Sequence, residues 1–145
     1  MGSITYRNKG FTLVEMLAVL VILVTLAAIV VPRFIDAGTR SRETALKATL
    51  AEVRNSITIF RNDTGYYPAS LNDLSATTAP QQGYNKQAQL KNIDPTDWKG
   101  PYLDKVPNDP VAKAAFKYYT TQAKMGQIES SATGKASDGT NYNTW

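Results

Sequence analysis

The chain has 145 residues, with 16 Lys+Arg against 12 Asp+Glu and a formal net charge of +4. It contains neither cysteine nor histidine, which excludes disulfide scaffolds, thiolate metal sites and the commonest general base and zinc ligand. The length suits one domain, but the mean hydropathy of −0.29 averages two unlike parts.

The chain starts with a short basic stretch carrying Arg7 and Lys9, followed by Gly10, Phe11 and Glu15. Residues 16–31 are apolar except for Thr25. A helix over Phe11 to Val31 would rise about 31 Å, enough to cross a hydrocarbon core. The run is longer than most secretory h-regions, and Arg33, Asp36 and Arg40 follow it instead of a small-x-small cleavage triplet. It therefore reads as a retained anchor. Lysines and arginines flank both sides, so charge counting alone does not orient it.

Past Pro32 the pattern becomes periodic. Leu46, Leu50, Val53, Ile57 and Phe60 are spaced 4, 3, 4, 3, one face of a helix. Arg42, Glu43, Lys47, Glu52 and Arg54 fall on other faces, with Asp36–Arg40 and Glu43–Lys47 as acid-before-base pairs at i, i+4. The pattern predicts one helix from about Phe11 to about Phe60. Pro32, which lacks the N–H for an intrahelical bond, should kink or open it, and Gly38 is a second weak point. Asn62 to Gly65 is the stop.

Beyond it, Tyr66 to Pro68 should run extended, and Ser70 with Asp73 resembles a capping box over a short turn at Leu71 to Ser75. Residues 76–97 read as loop. Phe116 to Thr121 and Gln127 to Ser131 read as a strand pair across Ala123 to Gly126. Ser137 to Tyr142 reads as a turn. Trp98 and Tyr102 are expected to pack the head on the Leu46–Phe60 stripe.

Glu15 is the odd residue. A carboxylate inside an apolar helix costs about 2.5–3.5 kcal/mol on insertion scales. Either it sits at the interface and reaches the headgroups, or it meets a cation. A free amine at Phe11 would be one, if the chain were cut between Gly10 and Phe11.

Lys9, Gly10, Phe11 and Glu15, followed by an apolar run and Pro32, resemble the signal of type IV pilins and type II secretion pseudopilins. Asp63, Gly65, Tyr66, Tyr67 and Pro68, then Leu71 and Leu74, then Trp98 to Leu103 and Val106 to Pro110, resemble the head of the major pseudopilin (general secretion pathway protein G) group. The resemblance covers most of the chain, with 76–97 matching poorly. It implies an α+β, pilin-like fold: a leader over 1–10, a helix over 11–60 (11–31 transmembrane or filament core, 32–60 amphipathic) and a head over 61–145 with a short antiparallel sheet. It further implies cleavage after Gly10, N-methylation of Phe11, pairing of Glu15 with a neighbouring subunit's amine, and local unwinding near Pro32 on assembly.

The function implied is structural and not enzymatic: the major pseudopilin of a type II secretion system, with a type IV pilus subunit or a monomeric anchored binding domain as alternatives. The implied partners are further copies, a prepilin peptidase, an inner-membrane assembly platform and minor pseudopilins. The N-terminus would be cytoplasmic and the head periplasmic. The group binds calcium through a C-terminal loop. Here the tail carries one carboxylate, Asp138, to which only Asp104 and Asp109 could be added, so no cofactor is expected and calcium at those three is the alternative. Without Arg7 and Lys9 the balance is 14 basic against 12 acidic residues. The basic residues are scattered, so nucleic-acid binding is not expected.

Overall fold

A computed structural model describes residues 10–145, without the side chains of Pro32, Ile35 and Asp36. The leader residues 1–9 lie outside the described residues, as do the Pro32 side chain and the Asp36–Arg40 pair. Two compact units result, one ending at Gly38 and one spanning Thr39–Trp145. The fold is α+β and pilin-like, with a long N-terminal helix and a small head bearing short antiparallel sheets.

Helix α1 is Leu13–Thr64 and is helical through Pro32 and Gly38. It ends inside the expected Asn62–Gly65 stop, four residues beyond the last stripe residue, Phe60. Thr64 returns its hydroxyl to the Phe60 carbonyl at 2.8 Å, which lets a turn-forming residue stay helical. Gly65 then takes φ 76° and its N–H bonds the Arg61 carbonyl at 2.9 Å. That left-handed residue ends the helix.

The head consists of short segments. Strands β1 (Tyr67–Pro68), β2 (Gln82–Tyr84) and β3 (Leu90–Asn92) form an antiparallel sheet in that order. Pro68 pairs with Gly83, and Gly83 with Lys91. Within residues 76–97, expected as loop, residues 82–92 form a hairpin. Asn85 fastens its turn, its side-chain oxygen accepting the N–H groups of Gln87 and Gln89 at 3.0 and 2.9 Å. Gly83 is required there, because a Cβ would come within 2.8 Å of both Tyr66 Cβ and the Tyr67 carbonyl. Leu71–Ser75 is a 3₁₀ turn in which the Asp73 carboxylate accepts the Ser70 N–H at 2.8 Å.

Strands β4 (Lys117–Tyr118) and β5 (Ile128–Glu129) pair antiparallel in the expected place. The Tyr118 hydroxyl donates to the Pro68 carbonyl at 2.8 Å, tying this pair to β1. At the tail, Gly139 N–H bonds the Ala136 carbonyl, and Ala136 N–H bonds that of Thr140, closing the Ser137–Tyr142 turn.

The core of this second unit is the α1 stripe. Leu46, Leu50, Val53, Ile57 and Phe60 are each at most 3% exposed. Leu71, Leu74, Ile93, Leu103, Phe116, Ile128 and Tyr142 close over them. Each such aliphatic or aromatic side chain contributes about 1.5–3 kcal/mol when removed from water. Leu50→Ala should therefore cost about 2–5 kcal/mol, read as a lower urea midpoint for unfolding of the head in the detergent-solubilised chain.

Candidate functional site

Thr12 and Glu15 build the start of α1. The Thr12 N–H and hydroxyl donate to Glu15 Oε2 at 2.8 and 3.0 Å, and the Glu15 N–H donates to Thr12 Oγ1 at 3.2 Å. This is a reciprocal capping box, which satisfies N–H groups that a helix start leaves open. The Thr-x-x-Glu spacing was its signal, obscured by the unusual placement of an acid against an apolar run. Gly10 and Phe11 precede the helix, and Phe11 is 80% exposed. A Cβ at Gly10 would meet nothing within 4 Å, so nothing in the described structure itself demands glycine there.

Every large apolar side chain of the stretch from Phe11 to Val31 is exposed. Leu13–Val31 is long and apolar enough to cross a membrane. With no inner and outer face, it needs an apolar environment all round.

In the head, Trp98 and Tyr102 pack against the core. Tyr102 meets Phe60 edge-on at 5.5 Å and Trp98 at 6.3 Å, and its hydroxyl donates to Asp63 Oδ2 at 2.9 Å. The N–H groups of Tyr102 and Leu103 converge on the Leu74 carbonyl at 2.8 and 3.0 Å. Tyr119 points the other way, its hydroxyl on Glu129 at 2.9 Å beside the Lys124–Glu129 ion pair.

Glu43 and Lys47 do not pair with each other. Glu43 is 6% exposed and accepts the Ser137 N–H at 2.8 Å, the Ser137 hydroxyl and the Tyr142 hydroxyl at 2.9 Å. Lys47 instead reaches Asp138 at 3.5 Å and lies 4.0 Å from the centre of the Trp145 ring. An i, i+4 attraction of a few tenths of a kcal/mol yields here to a carboxylate that must be satisfied once buried. Sequence reading could not find these partners, because they lie more than ninety positions away.

The three aspartates considered for calcium do not assemble a site. Among the described residues no group of three or more carboxylates could hold a metal ion. Asp104 is exposed, and Asp109 is fully buried with both oxygens occupied. Its Oδ1 accepts the N–H groups of Val111 and Ala112 at 2.7 and 2.9 Å. Its Oδ2 accepts the Ser130 hydroxyl and the Ser131 N–H. Asp138 accepts the Thr140 N–H at 3.0 Å and its hydroxyl, besides meeting Lys47. Calcium takes six to eight oxygens, and the carboxylates of Asp109 and Asp138 are already engaged by protein donors.

The same bonds set the acidity of the head. The Ser137 hydroxyl, opposed by burial and helped by the Ser137 amide and Tyr142, holds Glu43 below its ordinary value near 4.5. For Asp109, burial pushes upward most, but Ser130 and the three amides outweigh it and hold the group below 3.8. The Thr140 hydroxyl and amide lower Asp138. A depressed carboxylate contributes stability above its unfolded pKa, and that stability is lost as pH falls through the folded value. The head's melting temperature should thus be flat from neutrality to about pH 5 and fall below about pH 4, as scanning calorimetry across acid buffers would record.

Comparison with known proteins places these features in context. Residues 5–31 match the prokaryotic N-terminal methylation motif, and residues 33–143 match the family described as type II secretion system, protein G. The type II secretion system core protein G of Pseudomonas aeruginosa is 30% identical over 123 residues, covering 81% of this chain and 84% of that protein. That of Vibrio cholerae is 26% identical over 133 residues, covering 88% of each. The type IV narrow pilus major component of Thermus thermophilus is 45% identical over 53 residues, covering 37% of this chain and 46% of its own length. No solved structure matches.

Proposed function

The chain belongs to the type II secretion system protein G family, and from that premise we propose how its two units serve a major pseudopilin. The protein is a structural subunit of a pilin-like filament, the major pseudopilin of type II secretion. It anchors in the membrane through its apolar helix and works in a periplasmic filament with other secretion components.

In our reading a prepilin peptidase cuts after Gly10 and methylates the new amine of Phe11. The open space around Gly10 supports this, since the constraint on that position then comes from the enzyme that binds it. Before assembly the N-terminus is cytoplasmic and the head periplasmic. An inner-membrane platform then lifts the subunit, and minor pseudopilins start the filament. The apolar helices pack on one another there, with local unwinding near Pro32, and repeated assembly pushes proteins through the outer membrane.

One observation carries this reading: a wholly exposed apolar stretch, Leu13–Val31, with a single carboxylate at its start. In the subunit, Thr12 occupies that carboxylate. In the filament, the amine of a neighbour's Phe11 replaces Thr12 and sets the axial register, since opposite charges attract strongly at low dielectric.

Two variants separate capping from charge. Glu15→Gln retains a competent capping box but removes the charge, and Thr12→Ala does the reverse. We expect Glu15→Gln to abolish filaments while the membrane-bound subunit persists, and Thr12→Ala to assemble. Filaments in Glu15→Gln seen by electron microscopy would refute the charge pairing. Gly10→Val should leave the leader uncut, which intact-mass spectrometry would show. A second reading, a type IV pilus subunit, is favoured by the Thermus thermophilus relative. Cells lacking the protein would then lose twitching or DNA uptake and keep their extracellular enzymes.

A further inference from the structure

Glu43, Lys47, Arg54 and Arg61 lie within about 40° of one another around α1 at 100° per residue, bordering the apolar stripe. Three of them hold the C-terminal segment. Glu43 takes Ser137 and Tyr142, and Lys47 takes Asp138 and the Trp145 ring. Arg54 donates from one Nη2 to the carbonyl of Ile128 at 3.1 Å and to the main-chain oxygen of Trp145. Around them, Tyr142 meets Trp145 edge-on at 5.3 Å, and Trp145 Nε1 donates to Thr140 Oγ1 at 2.7 Å. The segment from Ile128 to Trp145 is therefore pinned at both ends and at its turn by one polar face of α1.

We infer that this polar face of α1 replaces a divalent cation: the C-terminal segment of this chain is locked by Glu43, Lys47 and Arg54, and its order is independent of calcium. Within this lock the ammonium of Lys47 supplies positive charge to Asp138 at 3.5 Å and to the face of Trp145 at 4.0 Å. The carboxylates that calcium would need are consumed by Ser130, Ser131, Val111, Ala112 and Thr140. Nothing in this lock requires the filament, so it stands or falls separately from assembly.

The experiment uses the full chain in detergent. Unfolding is followed by tryptophan fluorescence in calcium chloride and in EGTA, and trypsin cleavage after Lys135, inside the segment, is followed by mass spectrometry. The wild type should melt at the same temperature and be cut at the same rate in both buffers. Glu43→Gln and Lys47→Ala should each be cut after Lys135 faster, by about tenfold for Glu43→Gln, with no rescue by calcium. If Glu43→Gln fails to fold, Lys47→Ala, whose side chain is 54% exposed, still reports on the lock. A wild-type midpoint raised by more than about 3 °C in calcium chloride would overturn the inference. So would restoration of either variant by calcium, or cleavage in Lys47→Ala at the wild-type rate.

Discussion

The head depends on one helix face. None of its strands exceeds three residues and its 3₁₀ turns span three to five, and pieces that small have no stability of their own in water. What orders them is the Leu46–Phe60 stripe, the only long apolar surface within the Thr39–Trp145 unit. Leu74 lies on it and offers its carbonyl to Tyr102 and Leu103. Tyr102 leans on Phe60, Ile128 carries β5 against it, and Tyr142 brings in the tail. Each segment gains only by touching the helix and its neighbours together. The unit should consequently unfold as one piece.

The same helix serves two environments. Up to Val31 its side chains expose apolar groups on every side, and from Leu46 onward it buries a narrow stripe. The capping box at Thr12 and Glu15 belongs to the first environment. A cap of this kind contributes about 1 kcal/mol, whereas a close charge pair at low effective dielectric contributes several times that before desolvation is subtracted. On the proposed pairing, Thr12 supplies a partner that is adequate while the subunit is alone and weak enough to be displaced by a neighbour's amine. The carboxylate would then be satisfied before and after assembly, which is what an ionisable group at a membrane boundary requires.

Helical features were legible because their signal has the period of the element itself. The 4, 3, 4, 3 spacing of five apolar residues identified the buried face without reference to any other segment. The β4–β5 pair was legible for a similar reason, as Phe116 to Tyr119 has the aromatic content of a strand. The β2–β3 hairpin was hidden because Gln82, Lys91 and Asn92 have no strand preference and its strands expose most of their residues. Its order comes from the Asn85 side chain and from Tyr66 lying close to Gly83. Glu43 and Lys47 were misread for the opposite reason. A local partner was visible in the sequence, while the real ones sit in a tail that only folding brings near.

A polar face beside an apolar one carries a physical consequence. Extending the apolar stripe onto positions 43, 47 and 54 would bury the tail just as well and often more stably. It would not specify where along α1 each tail residue sits, because hydrophobic contact is non-directional. A buried carboxylate is directional: Glu43 with three donors admits one placement of Ser137 and Tyr142, and any shift leaves it unsatisfied at a cost of a few kcal/mol. With no histidine in the chain, and with Glu43, Asp109 and Asp138 all held below their ordinary pKa, the acids of this network keep their charge throughout the neutral range. The register of the tail is therefore set by fixed charges on α1, which is the physical basis of the proposed independence from calcium.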